Sequence, residues 1–501
     1  MEEKNIKEIS EIYKDSIFDL GVSPEYNIGE VSLAALYRQI GWQSKKENKY
    51  SRFAEANVNE EATKFYKELH KSDGKLKSDS ISIEDWKRIV FKSLSTPKMR
   101  NQVKSKNPIL YPYVPDCSLY SSAARLRGNP WNPGNLIEKV LLLGSKNEKD
   151  ANDLWKLLFK ALSSDSEDDQ EDILARIITA QFESRRSENI KWELNPITQT
   201  VNFFDEEIIE SSPSYQFVSD LKKIIVLKQI LTRRQWLSIL ESNLRIACAA
   251  HILWVCNLNS ILWSYLKSCL QNLEITQNEI HSKFKNETKN FWKIEERAIP
   301  IIKEQIQEFI RAQIAINYIV KKLKNEGEQV SLNSIQDIFE IGELIKNKIK
   351  INKWDISELS EINNLFEIDL KLVSCKGGST NNLFEFLRFS LGQKQTSEPH
   401  KKSYDQSYWL RKKGNYSSAP WIVDLGPASI LTMVYCCSYG YDQNRTIMDL
   451  LKHLSQYGLI ITPKDLESSN MLNMLSTLQV IGDSPDAEGG MVIINPFEKT
   501  V

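Results

Sequence analysis

Glycine and proline are scarce in this chain, at 19 and 16 of 501 residues. So few turn-forming residues argue against an all-β sandwich or barrel and for long helices. Histidine is rarer still: His70, His251, His281, His400 and His453 lie far apart in the sequence, which leaves no local pattern for a His-based triad or metal site. The chain has no His-Glu-x-x-His helix, no Gly-x-Ser-x-Gly elbow and no Gly-x-x-x-x-Gly-Lys-Ser/Thr phosphate loop. Cys375-Lys-Gly-Gly-Ser-Thr380 has the wrong spacing for that loop, and Gly377-Gly378 reads as a turn. The seven cysteines are odd in number and none falls in a Cys-x-x-Cys pair. That argues against a disulfide framework or zinc site and for buried free thiols in a reducing cytosol. No cofactor or metal is expected.

Net charge is also lacking: 65 basic residues meet 66 acidic ones. A neutral molecule is no bulk polyanion binder, so any nucleic-acid contact must come from local patches. The start, Met1-Glu-Glu-Lys-Asn5, is charged and no apolar run follows, so a signal peptide is not expected and the cytoplasm is. The most apolar stretch, Ile246 to Leu266, is interrupted by His251, Asn257, Asn259 and Ser264. It reads as a buried helix pair rather than a membrane span.

What is present is helical periodicity. The expected fold is mainly α: a multi-helical scaffold carrying a C-terminal winged helix-turn-helix domain. Four segments are expected: an N-terminal helical region at 1–80, a mixed helical region at 81–212, a long-helix scaffold at 213–392 and the terminal module at 404–501. Ile6 to Leu20, Val31 to Tyr37 and Asn59 to Leu69 have helical spacing. So do Leu136–Leu143, Ala151–Ser163 and Ile173–Phe182. In the scaffold the periodic stretches are Tyr215–Leu240, Leu244–Leu273, Ile275–Trp292, Ile299–Leu323 and Ser331–Ile349. Ile190–Leu194 and Gln199–Phe204 suggest a short hairpin around Asn195-Pro196.

Two stretches carry candidate chemistry. Ser82-Ile-Glu-Asp85 has the spacing of a capping box in front of a helix. From there Lys87, Arg88, Lys92, Lys98, Arg100, Lys104 and Lys106 follow with no acidic residue among them, beside Trp86 and Phe91. Cations interleaved with aromatics can track a phosphate backbone, and a solvated helix face explains them as well. Asp165 to Asp172 is acidic but lacks calcium-loop spacing, and reads as an exposed loop with a helix start. A restriction-type nuclease needs only carboxylates and a lysine. Glu183 and Glu193 are the nearest candidates, and a chain that is 26% charged supplies such patterns by chance.

The last hundred residues are the most organised. Arg411, Lys412 and Lys413 form a basic strand. Pro427 opens a helix that Gly440 stops, and a second starts near Arg445 or Thr446 and ends at Tyr457-Gly458. Thr462, Pro463 and Asp465 start a third, running to Leu478. Val480-Ile481 and Met491–Ile494 flank a turn-rich stretch and read as a hairpin. In a helix-turn-helix the second helix of the motif enters the major groove. Here that helix offers Lys464 against Asp465 and Glu467, poor material for a phosphate-dominated contact, so for this module protein contacts are expected ahead of direct DNA contact.

Lys413-Gly414, Tyr457-Gly458-Leu459 and Asp483-Ser-Pro-Asp-Ala487 give this module a resemblance to the C-terminal part of DptG-type proteins, accessory components of prokaryotic DNA restriction and phage-defence systems. Gly482-Asp-Ser-Pro485 departs from the Ser-Asp-Ser-Gly-like turn of that pattern. The resemblance covers about a fifth of the chain and implies a non-catalytic partner of a separate ATPase, helicase or nuclease. Contact with double-stranded DNA is expected through Lys87, Arg88, Lys92, Lys98, Arg100, Lys104, Lys106, Arg411, Lys412 and Lys413. The rival expectations are a pure protein scaffold or adaptor and a divergent metal-dependent nuclease.

Overall fold

The computed structural model describes residues 29–46, 49–52, 82–94, 111–119, 133–164, 172–183, 186, 188–198, 209–331, 335–351, 353–354, 379–393, 405–414, 416, 418–441, 445–482 and 490–497. The expected helices at 6–20 and 59–69, the acidic run before Asp172, Gly377-Gly378 and Cys375 lie outside them.

The N-terminal half is built from α1 (Gly29–Ile40), β1 (Trp42–Lys46), β2 (Lys49–Arg52), α2 (Ile83–Leu94), α3 (Pro115–Leu119), α4 (Pro133–Gly144), α5 (Glu148–Leu162), α6 (Ile173–Glu183) and β3 (Ile190–Trp192). Ser82 caps α2 as expected, its Oγ accepting from Asp85 N at 3.1 Å, but the return bond of the expected capping box is replaced by a side-chain contact, Ser82 Oγ donating to Asp85 Oδ2 at 2.7 Å. Only the first arm of the expected hairpin around Asn195-Pro196 is described, as β3. β3 pairs with β1, which pairs with β2, in a sheet of order β2-β1-β3. Gln199–Phe204 falls at 199–204, of which nothing is described. The β1–β2 partner went unread because Gln43 to Arg52 is almost entirely polar, without the alternating apolar pattern of a half-buried strand.

The scaffold follows with α7 (Pro213–Leu227), α8 (Arg233–Leu270), α9 (Gln277–Glu287), β4 (Trp292–Lys293), α10 (Ala298–Asn325), α11 (Ile335–Lys350) and α12 (Ser379–Ser390). The helix pair expected at 215–240 and 244–273 is also corrected. The break falls earlier, at residues 228–232, and α8 then runs unbroken for 38 residues. Thr232 and Gln235 cap it reciprocally, which fixes the start. α8 is apolar on nearly every side, the pattern of a helix surrounded by others. It packs against α1, α4, α7, α9, α10, α11 and α12. By length and composition it could cross a membrane, yet 83% of its most apolar window is buried inside the protein.

The terminal module comprises β5 (Leu410–Lys412), β6 (Trp421–Val423), α13 (Pro427–Ser438), α14 (Ile447–Ser455), β7 (Leu459–Ile460), α15 (Pro463–Ser468), α16 (Asn470–Thr477), β8 (Ile481–Gly482) and β9 (Val492–Ile493). Pro427, Thr446, Thr462 and Pro463 hold the starting positions their chemistry demands. The third helix is corrected to two. Ser469 is extended (φ −92°, ψ 161°), accepts from Met471 N and donates to Leu466 O, so its hydroxyl competes with helix continuation. The closing ribbon forms between β8 and β9. β5 is one arm of a hairpin with β6.

One apolar core joins residues from all four expected segments, from Leu33 through Trp155, Trp254 and Phe309 to Ile493. α13 packs on α8 and α7. β7 pairs in parallel with β4, so a strand of the terminal module is completed by the scaffold. The hinge of that join is Gly458, whose φ of +83° suits glycine and whose carbonyl accepts from Phe291 N and Trp292 N. A Cβ there would stand 1.9 Å from Phe291 Cδ2. Gly458→Ala should therefore cost about 2–3 kcal/mol, backbone strain added to overpacking. Urea denaturation checks this, and an unchanged midpoint would refute the close approach.

Candidate functional site

The ten cations singled out from the sequence do not converge among the described residues. Lys98, Arg100, Lys104 and Lys106 lie outside them, and of Lys87 and Lys92 only the helical backbone of α2 is described. Arg88 is 80% exposed and pairs with Asp85 at 3.3 Å. Arg411 is held by the buried Asp424. Lys412 is buried. Lys413 Nζ pairs with Glu295 Oε2 at 2.9 Å. Burial raises the Asp424 carboxyl, and the Arg411 guanidinium pulls it back down. The hydrogen bond from Lys413 holds Glu295 below the usual carboxylate range. Glu295 also accepts from Asn470 N at 3.3 Å, so these cations tie the terminal module to the β4–α10 turn. The Arg411 charge is met by a buried carboxylate, and the Lys413 charge by a partly exposed one at the surface.

A different set of polar groups gathers in a cleft of about 280 Å³ between α7, the end of α13 and α14. Helical spacing builds its two walls. Gln216, Ser219 and Lys223 are stacked along one face of α7, and Asp449, Lys452 and Gln456 along one face of α14. Thr446 and Asp449 form a reciprocal cap that fixes the start of α14 and with it the position of Arg445, the residue before the cap. Arg445 pairs with Asp449 at 3.1 Å and lies 3.5 Å from the centroid of the half-exposed Tyr441 ring. Lys223 Nζ sits 5.1 Å from the same centroid and donates to Cys436 O at 2.5 Å. Lys452 is exposed.

Behind the cleft is a buried polar cluster. Asp220, fully buried, accepts from Tyr457 Oη at 2.8 Å and from Gln216 Nε2 at 2.8 Å. Tyr457 Oη also stands 3.2 Å from Asn243 Oδ1 on α8. His453, with a side chain 8% exposed, brings Nε2 to 3.0 Å from Asp220 Oδ2, but off the angle of a hydrogen bond, so Nε2 has no hydrogen-bond partner. Burial, then the Asp220 charge, pushes the Tyr457 phenol well above its usual range. Burial likewise raises the Cys437 thiol to about 12 and holds the Cys436 thiol well above its usual range. Neither sulfur is a thiolate nucleophile near neutral pH.

A carboxylate beside an imidazole is the orienting half of a general-base pair. Ser219 lines the same cleft, but no hydrogen bond joins it to His453 among the described contacts. The arrangement is better suited to holding an anion than to making a nucleophile. Among the described residues no group of three or more His, Cys, Asp and Glu side chains is placed to hold a metal ion. Sequence reasoning passed over this cleft because no local motif announces it. The i, i+3, i+7 polar spacing on α7 and α14 was legible, but the two helices are more than 200 residues apart in the chain. No family model matches the chain, and no curated protein matches it in sequence.

Proposed function

We propose that the chain is a binding and assembly subunit of a prokaryotic DNA restriction or phage-defence complex, working beside a separate ATPase or nuclease. Its C-terminal module would dock a protein partner. In this reading the helices α13, α14 and α15–α16 followed by the β8–β9 ribbon would correspond to a winged helix-turn-helix, with α15 and α16 in the place of the recognition helix and β8–β9 as the wing. The resemblance of this module to DptG-type accessory proteins supports the same reading. One departure is β7, whose partner is β4 of the scaffold rather than a strand of the wing.

The observation that carries the protein-docking reading is the exposed face of α15 and α16. Lys464, Glu467, Ser468, Asn473 and Ser476 are exposed there, one cation against one carboxylate. Phosphate binding draws most of its affinity from unpaired cations, whereas a protein interface tolerates a neutral polar rim. A second reading, DNA contact through the 87–106 run, is favoured by the exposure of Arg88 at the start of that run.

Co-expression with the ATPase or nuclease genes beside its own gene tests the proposal. The full chain should co-purify with one of those products, and Asn473→Arg combined with Ser476→Arg should abolish that without lowering thermal stability. Salt-dependent, submicromolar binding of double-stranded DNA by the chain alone, abolished by Arg88→Glu, would replace it with the second reading.

A further inference from the structure

We propose that the cleft between α7, α13 and α14 binds a phosphate monoester, with the phosphate between Lys452, Arg445 and Lys223. Three cations face it against the single lining carboxylate of Asp449. A phosphate monoester carries about −1.5 to −2 charge at pH 7, a better match to that excess than a singly charged carboxylate. The Lys452 ammonium has no ion-pair or hydrogen-bond partner among the described residues, although the Lys452 carbonyl accepts from Ser455 Oγ. Arg445 Nε is a shielded nitrogen without a hydrogen-bond partner, whereas His453 Nε2 already faces Asp220 Oδ2 at 3.0 Å. Polar atoms left unmatched inside a protein are uncommon, and Arg445 Nε flanks this cleft. Asp220 does not cancel the site's charge at the surface: it lies behind His453, engaged by Tyr457 and Gln216.

The volume, about 280 Å³, is near the lower end of small-molecule sites and larger than phosphate alone requires. The half-exposed Tyr441 ring at the rim offers a surface on which a base can stack. Phosphate is thus the shared chemistry, and a nucleoside monophosphate is the ligand that also uses Tyr441. This site is independent of the partner surface on α15 and α16, so either can fail without the other.

Isothermal titration calorimetry on the full chain decides it, with inorganic phosphate, adenosine 5′-monophosphate and adenosine as probes. Phosphate and the nucleotide should bind once per chain, with Kd on the order of 1 mM or tighter, and adenosine should not bind. Lys452→Gln should weaken both roughly tenfold, the loss of one charge-assisted contact, with an unchanged melting temperature because its side chain holds nothing in the fold. Tyr441→Ala separates the two sources: weaker nucleotide binding with unchanged phosphate binding identifies the nucleotide, and no change in either leaves phosphate as the ligand. Absence of phosphate binding, or equal binding by wild type and Lys452→Gln, would overturn the proposal.

Discussion

Arg245→Met is expected to destabilise the protein by about 3–5 kcal/mol, and Asp405→Leu by a similar amount, because each leaves an uncompensated charge in the interior. Arg245, on α8, is 1% exposed and Asp405 is 4% exposed. They form a two-pronged pair, Nη1 to Oδ1 at 2.9 Å and Nη2 to Oδ2 at 2.5 Å, and Arg245 Nε donates to Ser390 O at 2.7 Å. Burial opposes the guanidinium charge, but Asp405 overrides it and holds the Arg245 pKa above its ordinary value. The double variant Arg245→Met/Asp405→Leu should cost less than either single change, since it removes both charges together. Urea denaturation measures all three, and additive losses would show that the pair is not coupled.

The same cluster sets a pH response. Burial, then the neighbouring Glu30 carboxylate, pushes Glu241 up to about 8, against the pull of Arg245. The folded chain therefore keeps a proton that the unfolded chain has already released. Stability declines as pH rises from the ordinary carboxylate range to about 8 and levels off above it. Glu241→Gln should flatten that decline.

Arg233→Met should cost at least about 3 kcal/mol, because three carbonyls lose their donor at once and each buried unsatisfied group costs about 1–3 kcal/mol. Arg233, 5% exposed at the first turn of α8, donates to Tyr113 O at 2.7 Å, to Ser163 O at 3.3 Å and to Leu162 O. It also reaches Tyr37 Oη at 3.3 Å. Two of those carbonyls end α5, where a cation also meets the negative end of the helix dipole. The loss should appear in the urea midpoint and as faster amide exchange at the C-terminal turn of α5. Protection unchanged there would mean that water replaces the guanidinium at no cost.

Helix starts were the most legible part of this chain. Ser82 with Asp85, Pro427, Thr446, and Thr462 with Pro463 stand where their side chains satisfy backbone donors or where a missing N–H costs nothing, and these are local effects. Continuity was less legible. Apolar periodicity persists through both a break and an uninterrupted helix, so the real turn at 228–232 was placed too late and the break at Ser469 was missed. The β1–β2 hairpin was illegible for a different reason: its strands are polar, and the pairing of β1 with β3 is made across more than 140 residues. Of the candidate site residues, Arg411 and Lys413 looked like free cations because Asp424 and Glu295, which neutralise them, are distant or unremarkable in sequence.

Composition and capping chemistry alone determined a mainly helical protein with a terminal unit of helices closed by a ribbon, because those depend on neighbours within a few positions. Tertiary structure alone decided that α8 would be a single buried axis, that β7 would find its partner on β4, and which charges would be spent inside the fold. It also decided that two helices distant in sequence would bring Lys223, Arg445, Lys452 and His453 to one cleft. Those outcomes depend on long-range packing and on the cost of burying an unpaired charge, and no window along the chain records either.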